Sequence, residues 1–143
     1  MLSKQKSTSV KLKHNQIIVF GSNTEGRHGK GFALTCKLRY GAIYGQAKGL
    51  QGQSYAIITK DLRKPNKGIR SVPLEMIKLQ IVELFEFAEK NPDKEIIMTK
   101  IGTRNAGYTE SEIENLFVDL KIPANVIMPS FGPRKFSSSK VLF

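Results

Sequence analysis

Gly21-Ser22-Asn23-Thr24-Glu25-Gly26-Arg27-His28-Gly29-Lys30-Gly31 puts four glycines into one eleven-residue stretch. Its neighbours give it meaning. Ahead of it stands Gln16-Ile17-Ile18-Val19-Phe20, an apolar, β-branched run too short for a helix, which predicts a strand. Behind it, Gly31 to Tyr40 has helical spacing, with Lys37 and Arg39 in the last turn and Gly41 placed to cap it. A strand that empties through glycines into a helix N-terminus is a ready anion site: backbone N–H groups can approach a phosphate, and the helix dipole favours negative charge. Two phosphate-loop fingerprints do not fit. Gly21 and Gly26 have the Walker A separation, but Arg27-His28 follows where Lys-Ser/Thr is needed. Gly29-x-Gly31 is followed by Leu34 where the dinucleotide fingerprint needs a third small residue. Glycines also serve plain turns, so the loop alone leaves both readings open.

The same alternation continues along the chain. Ser54 to Thr59, Glu95 to Lys100 and Ala124 to Met128 read as strands, and Gly41 to Gln53, with four glycines, as a loop with room for a short strand at Ala42-Ile43-Tyr44. Pro73 suits the first turn of a helix in which Leu74, Ile77, Ile81, Leu84 and Ala88 recur at helical spacing until Asn91-Pro92. Thr109-Glu110-Ser111-Glu112 has the form of a capping box, opening a helix to Leu120. Asp61 to Val72, rich in Lys, Arg, Pro and Gly, reads as an exposed connection. These elements predict one α/β domain over residues 1–143, with 1–10 a polar leader and 130–143 a basic extension. Strands alternating with helices imply a mostly parallel sheet covered on both faces. Ligands bind such sheets at the carboxyl ends of the strands, where the loop after Phe20, Lys60-Asp61 and Ile101 to Tyr108 converge.

The 23 Lys and Arg against 12 Asp and Glu leave a net charge of +11, unevenly spread: Met1 to Lys60 holds ten basic residues and one acid, Glu25. Such a field attracts phosphates without distinguishing a nucleotide from a nucleic acid. The single cysteine, Cys36, excludes an internal disulfide and a cysteine-rich zinc site, and its place on an apolar helix side reads as a buried thiol. His14 and His28 have no metal-ligand spacing with it, so no metal and no cofactor are implied. No apolar run approaches the ~20 residues of a membrane helix, and the basic N-terminus lacks a signal-peptide core. A cytoplasmic protein with no membrane partner is the expectation.

Ile101-Gly102-Thr103-Arg104-Asn105-Ala106-Gly107-Tyr108 repeats the logic of the first loop between a strand and a capped helix. With both loops in view, the chain resembles the macrodomains. Phe20-Gly21-Ser22-Asn23 is similar to that family's strand-end asparagine segment, and His28-Gly29-Lys30-Gly31-Phe32-Ala33 to its first glycine loop. Gly49 to Ile57 is similar to its loop into the next strand, and Ile101 to Tyr108 to its phosphate-binding turn. Within the superfamily, Arg27, Gly29, Gly31, Ala33, Lys37 and Gly41 resemble the spacing of the terminal ADP-ribose protein glycohydrolase branch. Tyr55 to Lys60 resembles the strand that carries that branch's catalytic lysine. The resemblance spans Ile17 to Met128. It implies a three-layer α/β/α sandwich that binds ADP-ribose or a related nucleotide, free or attached to protein or nucleic acid, between the two loops.

Departures from the pattern bear on function. The branch's aspartate partner of the lysine falls at Ala106, so the acid/base half of its mechanism has no evident carrier; Glu25 and Asp61 are the nearby acids that would have to replace it. Arg104 stands where a glycine is usual, able to clamp a phosphate or obstruct the groove. Nothing in Lys11 to Gln16 matches the family's adenine-contacting aspartate. Lys60 is the candidate nucleophile, or else a plain surface lysine. Asn23 is expected to bond a ribose or to close a local turn, His28 to touch a phosphate, and Tyr108 to stack on the ligand or to staple its helix. Three classes stay open: an ADP-ribose binder, which needs only the loops; an ADP-ribosyl hydrolase using Lys60; and a nucleic-acid-binding protein resting on charge alone.

Overall fold

The computed structural model describes residues 11–130. Its strands are β1 (Gln16–Asn23), β2 (Gly49–Gln51), β3 (Ser54–Lys60), β4 (Glu95–Ile97) and β5 (Val126–Ile127). The helices are α1 (Gly31–Arg39), α2 (Leu74–Lys90) and α3 (Glu110–Glu114), with single 3-10 turns at Asn66–Gly68 and Asn115–Phe117. The five strands form one sheet in the order β2-β3-β1-β4-β5, parallel throughout except for the antiparallel edge pair β2-β3. The protein is thus an α/β fold with a mixed, mostly parallel sheet. Among the described residues no helix is long and apolar enough to cross a membrane.

The unbroken apolar run of β1 follows from its position at the centre of the sheet. Side chains alternate between faces, and both faces are covered. Ile17 and Val19 join Tyr55, Ile57, Ile96 and the inner residues of α2 and α3 in one core. Ile18 and Phe20 join Ala56, Ile97 and the α1 residue Cys36 in a second. The α2 stripe of Ile77, Ile81, Leu84, Phe85 and Ala88 is buried in the first core, as its spacing predicts.

Several expected boundaries are corrected. Gly21-Ser22-Asn23, expected in the loop, continue β1: Gly21 pairs with Ile57 and Ser22 with Ile58, and after a register shift Asn23 pairs with Lys60. β4 ends at Ile97 rather than at Lys100, and β5 spans Val126–Ile127 rather than Ala124 to Met128. Ala42-Ile43-Tyr44 is not a strand, because the Ile43 N–H donates to the Gln51 side chain (2.7 Å) instead of to a neighbouring strand. The edge strand is Gly49–Gln51, unmarked by any apolar alternation. Pro73 caps α2 from outside, and α3 gives way to a 3-10 turn before Leu120. The expected leader 1–10 and all but Ser130 of the expected extension lie outside the described residues.

Candidate functional site

The topology singles out one crevice. From β1 the chain leaves through α1 to β3 on one side, and from β4 it leaves through α3 to β5 on the other. Adjacent parallel strands whose connections diverge leave a gap beyond their carboxyl ends, where ligands of open α/β sheets bind. Both glycine loops emerge at this gap. They are close: a Cβ built on Gly21 would stand 3.8 Å from the Gly102 nitrogen and 3.0 Å from Thr59 Oγ1 of β3.

The first loop is tied down for half its length and open for the rest. Asn23 Oδ1 accepts from the N–H groups of Glu25 (3.0 Å) and Arg27 (3.2 Å), so its side-chain oxygen closes the local turn. Ser22 is buried and its hydroxyl donates to the Asn23 carbonyl (3.3 Å). Gly26 lies with φ +62° against the backbone of Gly45 and Gln46, 2.7–2.8 Å from where a Cβ would stand, and its carbonyl accepts from Gly45 N–H at 2.7 Å. His28, expected against a phosphate, is 1% exposed with its ring edge-on to Phe20 (centroids 5.0 Å apart). Its Nε2 lies 3.1 Å from the Gln46 carbonyl and 3.3 Å from Gln51 Oε1, two acceptors that require the proton on that nitrogen. The imidazole therefore belongs to the wall that holds the loop, buried with its Nε2 engaged instead of facing a phosphate as expected.

Beyond His28 the chain faces outward. Gly29, Lys30, Gly31 and the ring of Phe32 are exposed, and a Cβ on Gly29 or Gly31 would meet nothing within 4 Å. Lys30 is the N-cap of α1 but offers no side-chain acceptor, and the first turn has no acid. Among the described residues the N–H groups of His28 through Ala33 find no acceptor. A helix start left this way is complementary to an anion.

The second loop closes on itself while leaving its own donors unused. Thr103 Oγ1 donates to the Lys100 carbonyl (2.7 Å), Gly107 N–H to Arg104 (3.0 Å) and Tyr108 N–H to Gly102 (3.0 Å). Among the described residues the N–H groups of Gly102 through Ala106 find no acceptor. Arg104 and Asn105 are exposed at the tip, whereas Ala106 is 3% exposed. Tyr108, expected to stack on a ligand or staple its helix, is 6% exposed; its hydroxyl donates to the Val72 carbonyl (2.6 Å) and its ring lies beneath the Arg70 guanidinium (4.6 Å). Its role is to anchor the loop. Thr109 and Glu112 form the expected capping box.

Lys60 ends β3 in register with Asn23, half-buried, and among the described residues its ammonium makes no ion pair. The acids that would have to assist it are engaged. Glu25 pairs with Arg27 (2.7 Å), and both oxygens of Asp61 accept from Arg63 (2.8 Å each). Those hydrogen bonds hold the Asp61 carboxyl down to about 2, so it is a persistent anion and a poor proton donor near neutrality. Cys36 is fully buried and its thiol is pushed up to about 12 by desolvation, which removes it as a nucleophile. No group of three or more His, Cys, Asp or Glu among the described residues is placed to hold a metal ion.

Residues that sequence reasoning passed over complete the site's frame. Thr59 fills the space beside Gly21, and the connection after β3 reaches the second loop through Ile69 and Arg70. That connection was expected to be exposed, yet Asp61, Gly68 and Val72 are buried in it. No family model, curated protein or solved structure matches this chain.

Proposed function

We propose that the protein binds ADP-ribose, or a related ADP-ribosyl nucleotide, in the crevice between its two glycine-bearing loops, as a macrodomain-like three-layer sandwich. One observation carries the reading. Two runs of backbone donors that find no acceptor among the described residues, His28–Ala33 and Gly102–Ala106, emerge at one topological switch point. A pyrophosphate offers acceptors to both runs at once, and exposed Lys30 and Arg104 add positive charge. Gly29 supports the same reading. It has neither a left-handed φ nor a Cβ crowded by any described residue, so nothing among the described residues requires a glycine there. Close approach of a ligand would. The test is calorimetric titration with ADP-ribose: saturable 1:1 binding is expected, and no heat with folded protein would overturn the proposal.

The hydrolase reading is favoured by one feature, the half-buried Lys60, which makes no ion pair among the described residues. It ranks second because Ala106 carries no acid, while Glu25 and Asp61 are each paired to an arginine. Turnover of an ADP-ribosylated protein separates the two readings. Salt-steep oligonucleotide binding without ADP-ribose binding would instead support the reading from charge.

A further inference from the structure

Arg70 lies outside both glycine loops, yet its backbone and its side chain both bond to the second loop. Its backbone N–H donates to the Ala106 carbonyl (2.7 Å) and its Nη1 to the Gly107 carbonyl (3.0 Å). The guanidinium fork also meets both oxygens of Glu112 (3.0 and 2.6 Å) and lies 4.6 Å over the Tyr108 ring. Glu112 in turn accepts from the Thr109 N–H (2.9 Å), so the same carboxylate joins Arg70 to the start of α3. The fit is close: at Gly107, with φ +89°, a Cβ would come 2.6 Å from Ile69 Cγ2 and 3.3 Å from Arg70 Cγ. Arg70 itself sits at φ +52°, a conformation that a non-glycine residue holds only when its surroundings impose it.

We infer that Arg70 is a positioning residue for the ligand site, fixing the two peptide planes on which the second loop closes. A trans peptide is planar, so holding its C=O fixes its N–H. Arg70 holds the Ala106 carbonyl, whose peptide carries the Gly107 N–H bonded to Arg104; it also holds the Gly107 carbonyl, whose peptide carries the Tyr108 N–H bonded to Gly102. Both closing bonds are thus set from outside the loop. With them in place, the N–H groups of Gly102 through Ala106 stay unspent for a ligand. The pair with Glu112 is exposed and adds little global stability; its worth lies in order within the loop. The inference rests on the proposed site for its relevance to binding, but not for its effect on the loop.

The experiment measures amide hydrogen exchange by NMR and ADP-ribose affinity by calorimetry, in wild type, Arg70→Ala, Arg70→Lys and Glu112→Gln. Arg70→Ala keeps the backbone bond to Ala106 but loses the guanidinium bond to the Gly107 carbonyl, so exchange at Tyr108 should rise about tenfold while Val19 and Ile57 keep their protection. Affinity should fall roughly tenfold, because the loop's donors are no longer preorganised. Arg70→Lys keeps the charge and a donor for the Gly107 carbonyl and should recover part of both losses. Glu112→Gln, which can still accept from Thr109, should give a smaller loss in the same direction and serves if Arg70→Ala does not fold. Unchanged exchange at Tyr108, an equal rise at the core amides, or unchanged affinity would overturn the inference. If wild type binds no ADP-ribose, the site reading falls, and the exchange data still decide whether Arg70 orders the loop.

Discussion

Gly29→Glu separates the needs of the fold from those of the ligand. The backbone at Gly29 lies outside the left-handed region, and an added Cβ meets no atom within 4 Å. Replacing it should therefore leave the folded state intact; the reduced entropy of the unfolded chain even favours the variant by about 0.4–1 kcal/mol. Binding should respond in the opposite way. The residue sits among the unbonded N–H groups of His28–Ala33, where the ligand's phosphate is proposed to lie. A carboxylate ~5 Å from a phosphate oxygen, at an effective dielectric of ~20–80, is repelled by about 1–3 kcal/mol. Losing one charge-assisted backbone contact removes about 1.5–3 kcal/mol more. Because a moving side chain relieves part of this, the expected loss is roughly ten- to a hundredfold in affinity. Gly29→Ala, carrying bulk without charge, should fall between the variant and wild type. Calorimetry gives the affinities and thermal denaturation the stability. A folded Gly29→Glu protein that binds ADP-ribose as wild type does would refute the role assigned to this loop.

Gly26→Ala should behave in the reverse sense: with φ +62° and a Cβ 2.7 Å from the Gly45 carbonyl carbon, it should lower the denaturation midpoint by an amount corresponding to at least ~1–3 kcal/mol. Asp61 should make stability fall in acid. Its folded value of about 2 lies below its ordinary 3.8, so its contribution is complete above pH 4 and is lost as pH falls through about 2; Arg63→Ala should flatten that fall in acid denaturation curves. Release of ADP-ribose from a glutamate-modified protein should be weak, since a missing general acid/base is worth about 10²–10⁴ in rate, and Lys60→Ala should change it little. Brisk wild-type turnover that Lys60→Ala abolishes would reverse the ranking of binder over hydrolase.

The parts of the fold that could be read from the chain are those in which one residue type has one dominant reason to be there. Ile17 to Phe20 could only be a strand buried on both faces, and the Ile77-Ile81-Leu84 stripe could only be a helix facing the sheet. What stayed hidden depends on distant partners. Gly21 looks like a breaker, but Thr59 fills the space beside it and β1 runs on to Asn23. Ile43 has strand propensity, but Gln51 takes its N–H. At the candidate site, Gly29 and Gly31 marked where backbone donors are exposed, while the directions of His28 and Tyr108 were illegible: Phe20, Gln46, Gln51 and Val72 decide them. Arg70 carried no local signal at all, since its partner Glu112 lies 42 residues away.

The arginines around the crevice explain why the chemistry reads as binding before catalysis. Arg27, Arg63 and Arg70 each hold a carboxylate: Glu25, Asp61 and Glu112. The Arg63 and Arg70 hydrogen bonds hold the carboxyls of Asp61 and Glu112 down to about 2. A general acid needs the opposite environment, one that raises the carboxyl toward neutrality. Restoring the aspartate by Ala106→Asp meets the same obstacle and a second one, because Ala106 is 3% exposed and its carbonyl is bonded to Arg70. A carboxylate introduced there is either buried, at a cost of folding stability, or drawn to the neighbouring guanidinium and kept ionised. Ala106→Asp alone is therefore expected to leave ADP-ribose release near the wild-type level. Ala106→Asp combined with Arg70→Gln, which removes the cation, is the variant in which turnover should first rise. If the single substitution already restores brisk release, the arginine pairs are not what keeps this site from catalysis.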